Sequence, residues 1–354
     1  MVAARPRAGR SRPRPAPRTR RHAGHDRRRR HLPARRGAGR GRRGRGPGVS
    51  EIPQGVERDY PLERLTTIRV GGPADYFARP ESAAELVELL AWAEAEGAAI
   101  GAVGSGSNLL VADEGFRGLV LKLAGELTRI EHEGLRVLCG GGARLPSAAA
   151  KAAGWGLTGL EFGVNIPGTV GGAVRMNANA YGGELAEVLE WVTVCTAAGA
   201  ERRPPDQLGF RYRGSAIGER AVVAEASFLL AEAPAEQVKE TMAEMRSKRK
   251  QAQPSGIKTF GSTFVNPDDP RAEGRSAGQL LDAAGARGLE RGGARLSPKH
   301  ANFVENAGEA TTADVLAVMA AARRLVHDRF GVTLEPEVQV LGEVRWPEDW
   351  GLPA

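Results

Sequence analysis

Gly104-Ser-Gly-Ser-Asn-Leu-Leu-Val111, followed later by Ile166-Pro-Gly-Thr-Val-Gly-Gly-Ala173, decides the reading of this chain. Each stretch is a small-residue loop beside apolar, strand-like sequence. Glycine lets the backbone approach a ligand closely. Successive N–H groups in such loops form a concavity suited to phosphate. Two of them point to a large phosphorylated ligand clamped from two sides. The first loop lacks the third glycine of the dinucleotide fingerprint and runs into Leu109-Leu-Val111 instead of a helix. A doubly wound nucleotide fold is therefore disfavoured.

Working outward, Ser82-Ala-Ala-Glu85 is a capping-box pattern. It opens a helix with Leu86, Leu89, Leu90 and Ala93 on one face, ending at Gly97. Ile100 to Val103, Gly118 to Leu123, Leu135 to Cys139, Trp191 to Thr196 and Ala221 to Leu230 read as strands. A short Ala-rich helix lies between residues 146 and 153. Pro234 to Lys250 reads as a helix with Val238, Met242 and Met245 inward. Ser276 caps another helix, ending at Gly285. Thr311 or Thr312 opens a long one that Gly331 stops, and Val332 to Val340 alternates as a strand. The pattern predicts an α+β chain. Residues 51–235 form one region split near 124, residues 236–345 form a separate domain, and residues 346–354 are a loose tail.

The net charge of +8 is unevenly spread. Residues 1–50 hold 18 arginines against one acid, Asp26, so the remainder carries 32 bases against 41 acids, a net −9. The Arg/Pro/Gly/Ala extension has too little apolar surface to offset ordering entropy and reads as disordered. It is either an arginine-rich tail for nucleic acid or other anions, or a GC-rich upstream stretch translated from too early a start codon. It lacks the apolar core of a signal peptide. No run of 18 apolar residues exists, so no membrane span is expected. Cys139 and Cys195 sit in apolar strand-like runs without CxxC spacing. They read as buried, inert thiols of a reducing cytoplasm. His132, His300 and His327 have no metal-ligand spacing, so no metal is expected.

Four polar segments remain. Phe210-Arg-Tyr-Arg-Gly-Ser215 concentrates two arginines and a tyrosine. Phe260-Gly-Ser-Thr-Phe-Val-Asn-Pro267 sets Ser262 after a glycine. Ser297-Pro-Lys-His-Ala-Asn-Phe303 gathers Lys299, His300 and Asn302. Glu335 and Glu337 share one face of the last strand. Taken singly, each has an ordinary structural explanation: a paired surface arginine, a turn serine, a satisfied core histidine, a solvated strand face.

Taken together, and with Thr66-Thr-Ile-Arg-Val-Gly-Gly-Pro-Ala74, Asn177-Ala-Asn-Ala-Tyr-Gly182 and Leu334-Glu-Pro-Glu-Val338, these segments carry a resemblance. In this order, between residues 60 and 343, the chain resembles the UDP-N-acetylenolpyruvoylglucosamine reductases, in the shorter type without a long insertion. The resemblance implies an FAD-binding region of the vanillyl-alcohol-oxidase/PCMH type, made of two α+β subdomains, followed by a smaller α+β substrate-binding domain. It implies FAD contacts from Arg69, Gly71 and Gly72, from Gly104, Ser105, Gly106, Ser107 and Asn108, and from Ile166, Pro167, Gly168, Thr169, Gly171 and Gly172. NADPH is the implied electron donor, and a nucleotide-sugar enolpyruvyl ether of peptidoglycan precursor synthesis the implied substrate.

By the same resemblance Arg213 and Glu337 hold the substrate carboxylate, and Ser262 donates the proton. Tyr181, Lys248, Lys299, His300 and Asn302 are implied contacts to the uridine diphosphate or the sugar. A cytoplasmic monomer is expected. The chain departs from the family pattern at Val265, where lysine is usual, at Asn179, where glycine is commoner, and at Asn165, where a small residue often sits. Two alternatives stay open. One is a flavin-linked oxidase of a sugar or alcohol, which has no reason to combine Arg213, Ser262 and Glu337. The other is a nucleic-acid binder built on the arginine-rich extension.

Overall fold

The structure, a computed structural model, describes residues 51–351. The expectations for residues 1–50 and for 352–354 lie outside the described residues.

Ser82 starts the helix Ala83–Ala95 by accepting the Glu85 N–H at 3.2 Å. The other half of the expected capping box is displaced by one residue: the Glu85 carboxylate takes the Glu81 N–H at 2.8 Å. Gly97, at φ +65°, turns the chain out of the helix. The buried stripe Leu86, Leu89, Leu90 and Ala93 packs with Leu119 and Leu121 of one sheet and with Cys195, Val222 and Ala224 of another. The helix thus shares one core with both sheets.

The first sheet has the strand order Glu57–Pro61, Pro73–Ala78, Phe116–Leu121, Ala99–Ala102. The outer hairpin-like pair is antiparallel and the other pairings are parallel. The second sheet is antiparallel throughout, in the order Gly199–Arg203, Leu189–Thr196, Val222–Leu229, Arg136–Gly140, Ile130–Glu133. Helices Leu145–Gly154 and Val170–Arg175 bury their alanines and valines against Val137, Cys139, Val194, Ala226 and Phe228. Burial pushes the thiols of Cys139 and Cys195 up to about 12 and about 11, so both are protonated and unreactive at neutral pH.

Helix Ala235–Ala252 begins where a domain boundary was expected, yet Val238 and Met242 bury in the core of the preceding sheet, with Met245 packed against it. By packing, this helix belongs with the residues before it.

Beyond it, two true capping boxes set the helices Ala277–Ala283, from Ser276, and Thr312–Phe330, from Thr311. Gly331, at φ +68°, ends the second. Val315, Met319, Ala322 and Val326 face Leu280, Leu296 and Val304, the last two from a small antiparallel sheet. The continuous strand expected over 332–340 is not formed. Only Gln339–Leu341 is a strand, and upstream a single bridge joins Pro336 to Phe264. Pro336 has no N–H to continue a ladder.

Gln339–Leu341 pairs in parallel with Leu109–Val111, the strand that leaves the first glycine loop. The Asp113 carboxylate also accepts the N–H groups of Thr312 and Ala313, at 2.7 and 3.0 Å, at the start of the long helix. The expected loose tail is instead packed as far as it is described. Trp346 and Trp350 meet at 4.2 Å between ring centroids, tilted by 33°, on the C-terminal core, with the Arg323 guanidinium 4.7 Å over Trp350. Among the described residues no helix is long and apolar enough to cross a membrane.

Candidate active site

The first glycine loop is the hub. Gly106 sits at φ +64°, and a Cβ there would lie 1.9 Å from the Leu65 carbonyl oxygen, so only glycine fits. A Cβ on Gly104 would lie 2.4 Å from Thr169 Oγ1, and the Ser107 hydroxyl donates to the Pro167 carbonyl. The two loops singled out in the sequence therefore form one wall. Among the described residues, no acceptor meets the backbone N–H groups of Ser105, Gly106 or Ser107. Across the seam, a Cβ on Gly168 or Gly172 would meet nothing closer than 3.5 Å. Unpaired, successive donors beside open backbone are what a cofactor diphosphate requires, so these residues fit FAD.

The neighbouring expectations have other surroundings. At Gly71 and Gly72 a Cβ would collide with Val111 Cβ at 2.4 Å and the Asp113 carbonyl at 2.3 Å, so close packing alone accounts for both glycines. Arg69 is exposed, at φ +63°, and donates to the Arg64 carbonyl at 2.7 Å. Thr169 caps the helix Val170–Arg175.

Arg213 and Glu337, distant in sequence, meet at 2.9 Å between Nε and Oε1. Arg213 holds a left-handed backbone, φ +58°, and also donates to the Asn179 carbonyl at 3.3 Å. Its Nε–H finds no hydrogen-bond acceptor, because it is not aimed at the nearby carboxylate oxygen. The contact is an ion pair in distance but not a hydrogen bond in direction. Burial pushes the Glu337 carboxyl above the usual glutamate range, and the Arg213 charge opposes this without cancelling it. Glu335 is in a different place: its side chain is 68% exposed and pairs with Arg323 at 3.3 Å.

Ser262 lies on a segment pinned from both sides. Thr263 N–H donates to the Asn302 carbonyl at 2.8 Å, and Val265 N–H to the Glu335 carbonyl at 2.9 Å. Glu337 N–H donates to the Thr263 carbonyl at 2.8 Å, which brings the serine segment and the glutamate segment to adjacent rungs. A Cβ on Gly261 would lie 3.5 Å from the Ser107 carbonyl, so the residue next to Ser262 borders the glycine loop. Asn108 of that loop donates to the Glu337 carbonyl at 3.2 Å. The structure thus brings Gly104–Asn108, Ile166–Gly172, Arg213, Ser262 and Glu337 into one neighbourhood.

The expected substrate contacts separate. The Tyr181 hydroxyl, on a half-exposed ring, accepts from Asn165 Nδ2 at 3.0 Å and donates to the Met245 carbonyl at 3.3 Å. Asn165, a departure from the family pattern, also reaches the Met245 carbonyl at 2.8 Å. Lys248 is exposed on the same helix, and Lys299 donates to the Lys250 carbonyl at 3.0 Å near its end. His300 is half-buried, its pKa lowered by burial and then by the Arg287 charge. Asn302 is buried and commits both ends of its amide to Phe264, at 2.9 Å each. It therefore holds the Ser262 segment from a buried position. Sequence reasoning missed Asn177, buried at φ +41° beneath the 177–183 loop with Nδ2 on Glu184 and Oδ1 without a partner. It also missed Lys122, a lysine inside an apolar strand run, which was the available signal. Among the described residues no cluster of His, Cys, Asp or Glu could hold a metal.

The C-terminal domain profile of UDP-N-acetylenolpyruvoylglucosamine reductase matches residues 253–341, and an FAD binding domain profile matches residues 74–203. UDP-N-acetylenolpyruvoylglucosamine reductase 2 of Symbiobacterium thermophilum is 44% identical over 296 residues, which cover 83% of this chain and 94% of that protein. The reductase of Agathobacter rectalis is 43% identical, over 83% of this chain and 96% of its own length. The crystal structure of the Thermus caldophilus UDP-N-acetylenolpyruvylglucosamine reductase superposes with a TM-score of 0.70 at 38% identity, covering 82% of this chain and 99% of that one. The chain belongs to the UDP-N-acetylenolpyruvoylglucosamine reductase family.

Proposed function

We propose that this protein reduces the enolpyruvyl ether of UDP-N-acetylglucosamine to UDP-N-acetylmuramate, with NADPH as electron donor and FAD as resident cofactor. The observation that carries the reading is the meeting of Arg213 with a partly buried Glu337 whose own backbone is tied by Asn108 to the glycine loop. A carboxylate-binding pair then stands beside the flavin site.

When bound, FAD supplies the hydride chemistry, and the protein supplies position and field. Ser105, Gly106 and Ser107 would offer backbone N–H groups to its diphosphate, and Ile166 to Gly172, in the same wall, would line the site beside them. Arg213 takes the substrate carboxylate, because its planar fork matches two oxygens and stays charged. Glu337, whose carboxyl burial pushes toward the protonated form against the opposing Arg213 charge, flanks the same carboxylate. Ser262 protonates the adjacent carbon. Serine is a weak acid in water, so its competence comes from the preorganised segment held by Asn302 and Thr263. Tyr181, Lys248, Lys299 and His300 border the nucleotide side, while Asn302 acts through the Phe264 backbone.

We place the cofactor-binding region at 51–252, including the helix whose Val238 and Met242 complete its core, and the substrate-binding layer at 253–345. A cytoplasmic monomer completes the reading; its two cysteines are buried and unpaired, as a reducing compartment would leave them. Anaerobic titration tests the reading. NADPH bleaches the flavin, and the enolpyruvyl nucleotide restores its colour. A flavin bleached by NADPH but indifferent to the nucleotide, and reoxidised only by oxygen, belongs to the oxidase alternative.

A further inference from the structure

Lys122 follows the strand Phe116–Leu121 and reaches behind the first glycine loop, where Nζ donates to the Gly104 carbonyl at 2.7 Å. It is half-buried, and among the described residues no carboxylate pairs with it. The nearby cation is Arg79, which already holds Glu57 at 2.8 Å and the Tyr60 hydroxyl at 2.9 Å. Burial, and then the Arg79 charge, push the Lys122 ammonium below the ordinary lysine range. A charge removed from water without a partner costs stability. Yet this one stands against the loop whose Ser105, Gly106 and Ser107 N–H groups are also unpaired. Ammonium and amide donors therefore add positive potential at one place, and the missing partner is an anion.

We propose that Lys122 is part of the cofactor diphosphate site, a fixed positive charge behind the Gly104–Asn108 loop that the FAD phosphates neutralise. The proposal rests on FAD being the resident cofactor. A lysine that only propped the Gly104 carbonyl would need no uncompensated charge, since a neutral donor would do.

The full chain, stripped of flavin, is titrated with FAD and with riboflavin at low and high salt, using flavin fluorescence. Lys122→Met removes charge and donor, Lys122→Gln keeps a donor, and Lys122→Arg keeps the charge. Both neutral variants weaken FAD binding by about ten- to a hundredfold, with a smaller deficit at high salt, and Lys122→Arg recovers most of it. Riboflavin, which has no phosphate, binds all four proteins alike. The stripped Lys122→Met protein unfolds no earlier than wild type, because an unpaired charge has been removed. Equal weakening of FAD and riboflavin, wild-type FAD affinity in Lys122→Gln, or neutral variants that fail to fold would each overturn the proposal. Wild type that binds no flavin at all would instead remove the cofactor reading beneath it.

Discussion

Asn108 donates its side-chain amide to the main-chain carbonyl of Glu337 at 3.2 Å, across 229 residues of sequence. The adjoining N–H of Gln339 returns to the Asn108 carbonyl at 3.1 Å, and the parallel pair Leu109–Val111 with Gln339–Leu341 continues the join. The loop proposed for the cofactor and the carboxyl group proposed for the substrate thus share one hydrogen-bonded unit. Asn108→Ala should slow flavin reoxidation by the enolpyruvyl nucleotide about tenfold, the equivalent of roughly 1.4 kcal/mol for a lost positioning hydrogen bond. Stopped-flow absorbance checks this, and an unchanged rate would make the contact incidental.

Ser262→Ala separates the two halves of the reaction. NADPH does not need the serine proton, so reduction should proceed at the wild-type rate. Reoxidation by the nucleotide should fall by about 10²- to 10⁴-fold, the range for a lost general acid. The serine sits between the Gly261 turn and a backbone clamped by Asn302, so alanine should fit without rearrangement. Equal loss in both halves would assign Ser262 a structural role.

Much of the fold and site was legible because local chemistry repeats there. Ser276 and Thr311 are capped as their neighbours dictate, and the Leu86–Ala93 stripe buries at helical spacing. Both glycine loops were visible as small-residue runs. Strands of two or three residues were not, since Ala294–Leu296 and Val304–Asn306 are too short for any period to emerge. The 332–340 segment alternates like a strand but contains Pro336, and its apolar residues bury without a continuous ladder. Trp346 and Trp350 looked like an end because nothing local reveals that Trp350 lies under Arg323 and Trp346 against Trp350. The same holds for the site: no spacing rule reveals that Asn302 points its amide at Phe264, or that no carboxylate among the described residues pairs with Lys122.

Glu335 and Glu337 offer an internal control. Two residues apart, one is exposed beside Arg323 and the other partly buried beside Arg213. Exposed ion pairs contribute about 0–1 kcal/mol, so Glu335→Gln should leave turnover within about twofold of wild type and shift the unfolding midpoint only slightly. Steady-state NADPH oxidation with saturating nucleotide measures this. A large loss of kcat in Glu335→Gln would mean that the two carboxylates exchange roles.

Arg213→Lys preserves charge but not shape. The left-handed backbone at φ +58° aims the side chain at Glu337, and an ammonium there meets a carboxylate as a point instead of a fork. The variant should lose about 100-fold in kcat/KM for the nucleotide, roughly 2.7 kcal/mol, consistent with the 2–5 kcal/mol of truncated buried charge contacts. The NADPH half-reaction should stay near wild type. Loss confined to NADPH reduction would place the arginine on the wrong substrate.

Glu337 makes stability depend on pH with a definite sign. Its carboxyl titrates above the usual glutamate range in the folded protein, first because it is buried, with Arg213 opposing. Below the ordinary range, about pH 4, both folded and unfolded chains carry the proton and the full contribution is present. As pH rises, the unfolded chain ionises first while the folded one resists. Stability is then lost until the raised folded value is passed. Glutamine cannot ionise and escapes this loss. The unfolding midpoint of flavin-free Glu337→Gln, minus that of wild type, should therefore be smallest near pH 4, grow as pH rises, and level off above the folded titration. A difference that shrinks with pH would mean that the Arg213 charge outweighs burial and that Glu337 is an ordinary ion-pair carboxylate. In that case Arg213 would be occupied before substrate arrives, and the carboxylate would need another anchor.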